Sequence, residues 1–210
     1  MSVLMMASRA GFAVAVLLTC AASFAAGAPA PSCANSRAEL KSRDLKELFL
    51  KHKGVLDLKS QVGCLKLESE VELPAFLLEL PAYESPYTIR MEAPLGTGTY
   101  LLPRIDMLDA QFNTLRSFGA ERLKHRGIEM SLDIFVNSPN ASERYALIYA
   151  DPQHLGEQDS KVVSQSKVLF VGTGFYIAGD DKTTTRNSAS EGKLTVTLLG
   201  GQWDKAQGHH

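Results

Sequence analysis

An alternation of apolar and polar residues with a period of two is the feature that most restricts how this chain folds. In its clearest example, over 128–136, polar residues at 129, 131 and 133 separate apolar ones, which are Ile128, Met130, Leu132, Ile134 and Val136. Successive side chains of a strand point to opposite faces, so the pattern predicts a strand with one buried face and one wet face. A wet face is typical of antiparallel sheets.

Further strand patterns come at short intervals, separated by turn signals rather than by helices. Parallel sheets need long crossovers, so the sequence predicts an all-β, antiparallel β-sandwich, jelly-roll-like, of about eight or nine strands. A sheet closed on itself is the alternative. The other predicted strands are 55–58, 71–80 (broken at Pro74), 87–91, 100–108 (apolar on both faces, near the middle of a sheet), 145–150, 167–171, 175–178 and 194–199.

One short helix is predicted near the N-terminus, over 36–53. Ser36 and Glu39 have the spacing of a capping box, and Leu45 and Leu48 fall on one helical face. Gly54 then ends the helix.

Residues 1–25 have the pattern of a cleaved signal peptide. Arg9 precedes an uncharged apolar run over 11–18, and small residues allow cleavage before Ala26. The run is shorter than the roughly 20 residues a membrane-spanning helix needs. The sequence therefore predicts a periplasmic protein whose mature chain has no integral membrane span.

A lipid anchor is the alternative form of export. Leu17-Leu18-Thr19-Cys20 resembles a lipobox, in which Cys20 would be acylated, but Thr19 stands where such sites have Gly, Ala or Ser.

The predicted organisation has one folded domain. Residues 1–25 are the signal peptide, 26–54 a leader and the short helix, 55–200 the β-sandwich, and 201–210 a C-terminal tail.

Cysteine usage predicts one disulfide. If Cys20 leaves with the signal peptide, Cys33 and Cys64 remain, and an even count in an oxidising compartment favours a bridge between them. Two free thiols are the alternative.

The charge balance excludes nucleic acid as a partner. Lys and Arg number 22 and Asp and Glu 23, so the formal net charge is −1. Nucleic-acid binding relies on a clustered positive field, and binding to anionic lipid relies on a basic stripe; the sequence has neither.

No catalytic or metal-binding pattern emerges from the sequence. Asp106 and Asp109 would be the carboxylate pair of a glycosidase, but Asp109 is more simply interpreted as a turn residue. The nucleophile elbow Gly-x-Ser-x-Gly is absent, His125 and His154 are expected in exposed loops, and the histidines lack metal-ligand spacing. The predicted protein is non-enzymatic, with no cofactor and no metal.

Three aromatic residues are candidates for sugar binding. Pyranose rings stack on aromatic faces, and Trp203, Tyr83 and Tyr87 lie beside polar residues or a turn. The alternative is that Trp203 anchors the tail and Tyr87 lies in the core.

The order of the strands resembles that of the maltose operon periplasmic protein (MalM) family over about residues 55–160. An apolar strand ends in Leu80-Pro81, another ends in Leu108-Asp109, and Tyr145-x-x-Ile148-Tyr149 follows. The resemblance implies a periplasmic β-sandwich associated with maltodextrin uptake, without an established enzymatic role.

We therefore expect a non-enzymatic periplasmic accessory protein that binds a glycan such as maltodextrin, or another envelope protein. The alternative is an outer-membrane-anchored lipoprotein, or an envelope interaction module unrelated to sugars.

Overall fold

The computed structural model describes residues 33–52, 54–59, 63–96, 98–126, 128–172, 174–200 and 203. These residues form an all-β fold rich in antiparallel pairing, with one α-helix, as predicted. The helix is α1 (Leu45–His52), and the strands are β1 (Ser42–Asp44), β2 (Val55–Asp57), β3 (Gly63–Lys66), β4 (Glu72–Glu79), β5 (Tyr87–Pro94), β6 (Thr99–Leu101), β7 (Pro103–Leu108), β8 (Thr114–Phe118), β9 (Lys124–Arg126), β10 (Glu129–Val136), β11 (Tyr145–Ala150), β12 (Gln158–Val171), β13 (Gly174–Ala189) and β14 (Lys193–Leu199).

The strands form two larger sheets and one smaller sheet. Sheet A has the order β1-β4-β11-β7-β8, with β3 also paired to β4, and sheet B has the order β2-β14-β5-β10-β9. In the smaller sheet, β13 lies between β12 and β6. Two sheets of alternating pattern bury their apolar faces against each other, as in a sandwich.

The main core contains the inner faces of sheets A and B. Alternate residues of β5 and β14 are buried while their neighbours stay partly exposed. Strand β10 follows the predicted alternation except at Ser131, which is also buried. Members of the main core include Phe76, Leu78, Ile89, Met91, Ile105, Met107, Met130, Ile134, Ile148, Val196 and Leu198.

A second apolar cluster lies on the opposite face of sheet A, and we call it the outer cluster. It includes Leu40 from the segment before β1, Leu65 of β3, and Leu77 and Leu147 of the central strands. The middle of β4 and of β11 is therefore buried on both faces, which explains their continuous apolar runs.

The segment before α1 differs from the prediction. The helix begins at Leu45 and not at Ser36, and it is capped by Asp44, whose Oδ1 accepts the Lys46 N–H at 2.8 Å. Ser36 does bond Glu39, at 3.1 Å, but in a single 3₁₀ turn. Burial of Leu40 and parallel pairing of β1 with β4 override the local helical preference.

Gly54 ends the helix as predicted. Its φ of +67° is in the left-handed region, and its N–H donates to the Leu48 carbonyl at 3.3 Å. A Cβ at this position would lie 1.7 Å from the Val196 carbonyl oxygen, so no other residue fits.

Several strand boundaries also differ from the prediction. Strand β4 continues through Pro74, and Ile128 lies outside β10 and is 81% exposed. The predicted strand over 100–108 is divided into β6 and β7, and only β7 is central, between β11 and β8. Several of the additional strands have three or four residues, too few to show a period.

The predicted Cys33–Cys64 disulfide is present, with a sequence separation of 31. Beside it, the Ala34 N–H donates to the Cys64 carbonyl at 2.8 Å and the Lys66 N–H donates to the Ala34 carbonyl at 2.9 Å. We call residues 33–41 the N-terminal segment; the disulfide holds it against β3.

Across the described residues, no helix has both the length and the apolar character needed to cross a bilayer. The predicted signal peptide and Cys20 lie outside those residues.

Candidate functional site

A polar groove of about 680 Å³ lies on the outer face of sheet A, beside the outer cluster. One wall is residues 35–37 of the N-terminal segment, and the rest of the lining comes from residues 65–69 of β3 and the turn after it, from β7, β8 and β11, and from Gln153. The volume is typical of small-molecule sites. We call it the sheet A groove.

Strand alternation places the charged side chains at the floor of this groove. Ile105 and Met107 of β7 are in the main core, so Arg104 and Asp106 occupy the outer face. Asp106 is opposite Ser117 of β8, and Arg104 is opposite Tyr149 of β11.

Asp106 is 2% exposed and has both carboxylate oxygens engaged. The Ser117 hydroxyl donates to Oδ1 at 2.6 Å, and the Tyr149 hydroxyl donates to Oδ2 at 2.9 Å. A buried carboxylate is costly unless it is hydrogen-bonded and paired, and these bonds reduce that cost. They also fix its orientation.

Burial raises the pKa of Tyr149 well above its usual value, and the neighbouring Asp106 carboxylate raises it further. Tyr149 therefore keeps its proton at neutral pH and acts as a donor to Asp106.

Two arginines share this single carboxylate. A terminal guanidinium nitrogen of Arg37 lies 3.7 Å from Oδ2, and the Arg104 Nε lies 3.6 Å from Oδ1. Both distances exceed a good hydrogen bond. Arg37, Arg104 and Asp106 together carry one excess positive charge, and both guanidinium groups are about one-third exposed.

Arg37 also attaches the N-terminal segment to the far side of the groove. Its other terminal nitrogen donates to Thr114 Oγ1 at 2.6 Å and to the Phe112 carbonyl at 3.3 Å. The disulfide holds one end of the wall and Arg37 holds the other.

The three aromatic residues predicted to bind sugar lie elsewhere. Trp203 is 4% exposed and packs in the main core, and it also lines a smaller groove of about 350 Å³ with Lys46, whose ammonium is 5.8 Å from the ring centroid. Tyr87 is buried in the core, and burial raises its pKa to about 12. Tyr83 is partly buried against the same core. Their role in ligand binding stays a prediction.

Asp109 is the turn residue that the sequence predicted. Its Oδ1 accepts the backbone N–H groups of Gln111 at 2.8 Å and Asn113 at 2.9 Å. The side-chain bond from Asn113 is the main reason that the pKa of Asp109 is lowered. Of the two carboxylates considered as a glycosidase pair, Asp106 is therefore buried in the sheet A groove, and Asp109 bonds only within its own turn.

The two internal histidines occupy different environments. His125 is exposed as expected, but it lies in strand β9 and not in a loop. His154 is partly buried, with Nδ1 3.2 Å from Asp151 Oδ2. Asp151 also accepts the Gln153 N–H at 3.1 Å and so caps a 3₁₀ turn at the edge of the groove.

One grouping of metal-ligand types occurs among the described residues: Cys33, Cys64 and Glu72, with ligand atoms within 4.8 Å of one another. The two sulfurs are joined to each other, and a metal site needs thiolates, so this grouping does not fit a metal ion.

Sequence reasoning missed the two arginines and the role of Asp106 as the floor of a groove. The available signal was a charged pair, Arg104 and Asp106, inside the otherwise apolar stretch 100–108, where a buried strand would bear charge only with partners.

No family model, curated protein or solved structure matches this chain, so membership of the MalM family stays a prediction.

Proposed function

We propose that this chain is a non-enzymatic envelope protein that binds a carbohydrate in the sheet A groove. The observation that carries the proposal is the buried Asp106, held by two hydroxyl groups and faced by two arginines at the floor of a groove of about 680 Å³.

The groove offers the groups that sugar hydroxyls require. A hydroxyl both donates and accepts, and guanidinium, amide and hydroxyl side chains line the groove beside the carboxylate. Arg104 approaches Asp106 only at 3.6 Å, which leaves donors of its planar fork available to a ligand.

The arrangement of carboxylates supports binding rather than hydrolysis. Both Asp106 oxygens already accept hydroxyl hydrogen bonds. The other carboxylate in the described lining is Glu68, exposed in the turn after β3, whereas glycosidases hold two carboxyls across the scissile bond.

Two lines of reasoning favour different carbohydrates. The resemblance to the MalM family favours neutral maltodextrins, and the excess positive charge at the groove favours a sugar with a carboxylate. The disulfide supports a periplasmic setting, because disulfides persist in oxidising compartments.

Titration calorimetry of the full chain tests the proposal, with maltooligosaccharides and uronic-acid oligosaccharides of equal length as ligands. Loss of a hydrogen bond from a charged donor costs about 1.5–3 kcal/mol, so Arg104→Gln should weaken binding about tenfold or more. Arg90→Gln, on the outer face of sheet B, is the matched control and should bind as the wild type does. Absence of binding to either ligand series, or equal loss in both variants, would contradict the proposal.

Trp203 emission distinguishes the two grooves. The lining of the smaller groove shares no residue with the sheet A groove, so a ligand in the latter should leave the emission unchanged. Quenching on titration would instead favour the predicted role of Trp203.

Binding of another envelope protein stays a prediction from the sequence. Substitutions in the sheet A groove would leave such binding intact, so the two functions are separable.

A further inference from the structure

Strands β12 and β13 form a long two-stranded ribbon, which extends well beyond the short stretch where β6 pairs with β13. Their pairing runs from Gln158↔Asn187 to Val171↔Gly174. At the base, β6 pairs with β13 over 187–189, and Arg186 bonds Asp159 at 2.6 Å. From that ion pair to the turn the ribbon is about 40 Å long at the usual rise per residue, and there it pairs with no other described strand.

The end of this ribbon is apolar in sequence. Residues 168–179 include no charged residue, and they contain the runs Val168-Leu169-Phe170-Val171 and Phe175-Tyr176-Ile177-Ala178. The register pairs the two runs across the turn, with Phe170 opposite Phe175. Phe170 is 82% exposed, the largest exposure among the large apolar residues of the described chain. We call residues 168–178 the tip.

Among the described strands, only β6 pairs with this two-stranded ribbon, and it does so at the base. Successive residues of a strand alternate between faces, so an unbroken apolar run makes both faces of a ribbon apolar. Isolated hairpins are at best marginally stable in water, and large exposed apolar patches mark interaction sites. The sequence of the tip, together with the exposure of Phe170, therefore favours an apolar environment around both faces of the ribbon.

We propose that the tip inserts into the surface of a lipid bilayer. Lipid surrounds both faces of a ribbon, whereas a flat protein surface contacts only one. The apolar rungs span about 13 Å, which fits insertion to the headgroup and acyl boundary and is well short of the ~30 Å hydrocarbon core. Polar and charged residues bound this span, with Lys167 before it and Asp180 after it.

A second copy of the chain is the less favoured occupant. The sheet A groove, the smaller groove beside Trp203 and a third groove over residues 41–48 are lined mainly by polar and charged side chains, so none of these three matches an apolar tip. The tip shares no residue with the sheet A groove, so this proposal and the carbohydrate proposal can fail independently.

Co-sedimentation with vesicles of phosphatidylethanolamine and phosphatidylglycerol tests the inference on the full chain. We compare the wild type with Phe170→Asp and with Phe135→Asp, the same change at another exposed phenylalanine, on the outer face of sheet B. Phe170→Asp should lower the partition constant at least tenfold, and Phe135→Asp should leave it unchanged. Because the tip is uncharged, raising the salt concentration tenfold should change partition less than twofold.

The apolar run over 11–18 could itself bind vesicles, but it is present in the wild type and in both variants. The difference in partition between the two variants therefore reports on the tip alone. Phe170→Trp gives an independent readout. Its emission should shift to the blue on adding vesicles and be quenched by lipids brominated on the acyl chain, over the constant background of the buried Trp203.

Three outcomes would overturn the inference. The first is equal partition of Phe170→Asp and the wild type, and the second is a Phe170→Trp emission that vesicles do not alter. The third is concentration-dependent association in the absence of lipid that Phe170→Asp abolishes, which would identify a second copy as the occupant.

Discussion

The outer faces of the two sheets each carry an Arg–Asp cluster, and the two clusters differ in how their charges are satisfied. On sheet B, Arg90 and Asp133 are cross-strand partners joined by two hydrogen bonds, of 2.7 and 3.3 Å. On sheet A, two arginines face Asp106 at 3.6 and 3.7 Å, and hydroxyl groups make the close contacts. Arg90 and Asp133 satisfy each other through two hydrogen bonds, whereas the arginines of the sheet A cluster keep donors for the proposed ligand.

The difference arises from what covers each sheet. The N-terminal segment lies over sheet A, held by the disulfide and by the bond from Arg37 to Thr114. Sheet B leaves Phe135 65% exposed on its outer face. A groove forms where a covering segment meets a sheet, so the same residue types line the proposed binding site on one face and form a simple surface pair on the other.

Removing the disulfide should have the largest effect. The double substitution Cys33→Ser with Cys64→Ser opens a loop with a separation of 31 residues. The loop-entropy model predicts a loss of about 3–4 kcal/mol in the free energy of unfolding, measurable by urea denaturation. Binding in the sheet A groove should be lost with it. A loss below about 1 kcal/mol with binding intact would mean that the covering segment is held by other contacts.

Shortening a buried side chain beneath the N-terminal segment should lower the free energy of unfolding slightly less than removing the disulfide does. Leu147 is fully buried in the outer cluster, and Leu147→Ala should lower the free energy of unfolding by about 3 kcal/mol through lost burial and a cavity. Phe135→Ala, on the uncovered face, should stay within about 0.5 kcal/mol of the wild type. If both substitutions lowered the free energy of unfolding equally in urea denaturation, the outer faces of sheets A and B would not differ in how they are covered.

The two aspartates should respond differently to the same substitution. Asp106→Asn weakens two hydroxyl bonds and leaves two arginines facing a neutral amide, so we expect a cost of about 2 kcal/mol. Asp133→Asn alters a partly exposed pair and should cost less than about 1 kcal/mol. Thermal unfolding at neutral pH measures the stability loss of each variant. A larger loss for Asp133→Asn than for Asp106→Asn would contradict the view that Asp106 is the more strongly held carboxylate.

The smallest effect is the pH dependence of the sheet B pair. The hydrogen bond from Arg90 lowers the pKa of Asp133. Because the folded pKa lies below the unfolded one, the pair stabilises the fold above the unfolded pKa of about 4, and this contribution is lost as the pH falls through the folded pKa. It should be below about 1 kcal/mol and should shrink in high salt. Asp133→Asn should flatten the stability curve on the acid side, below about pH 5, and an unchanged curve would contradict the proposed role of the Arg90–Asp133 pair.

Local pattern was sufficient for much of the fold. The alternation in β10 follows from a half-buried strand, and Asp109 follows from turn chemistry. The disulfide follows from the two cysteines that remain if Cys20 leaves with the predicted signal peptide. Each of these depends on residues close in sequence or on composition alone.

The groove depends on contacts that no local pattern shows. Arg37 bonds Thr114 across 77 residues, and Tyr149 bonds Asp106 across 43. The N-terminal segment has a helical capping pattern, yet burial of Leu40 on the outer face of sheet A places it as a covering segment instead. Long-range packing therefore creates the site, and local propensity misplaces one of its walls.

Amide chemical-shift mapping during titration with the oligosaccharide that calorimetry selects tests the central claim most directly. The account predicts that the largest perturbations fall on residues 35–37, on Arg104 and Asp106, and on the neighbouring Ser117 and Tyr149, with no change at Arg90 and Asp133. Perturbations centred on Trp203 or on the outer face of sheet B, with the sheet A groove unchanged, would contradict it.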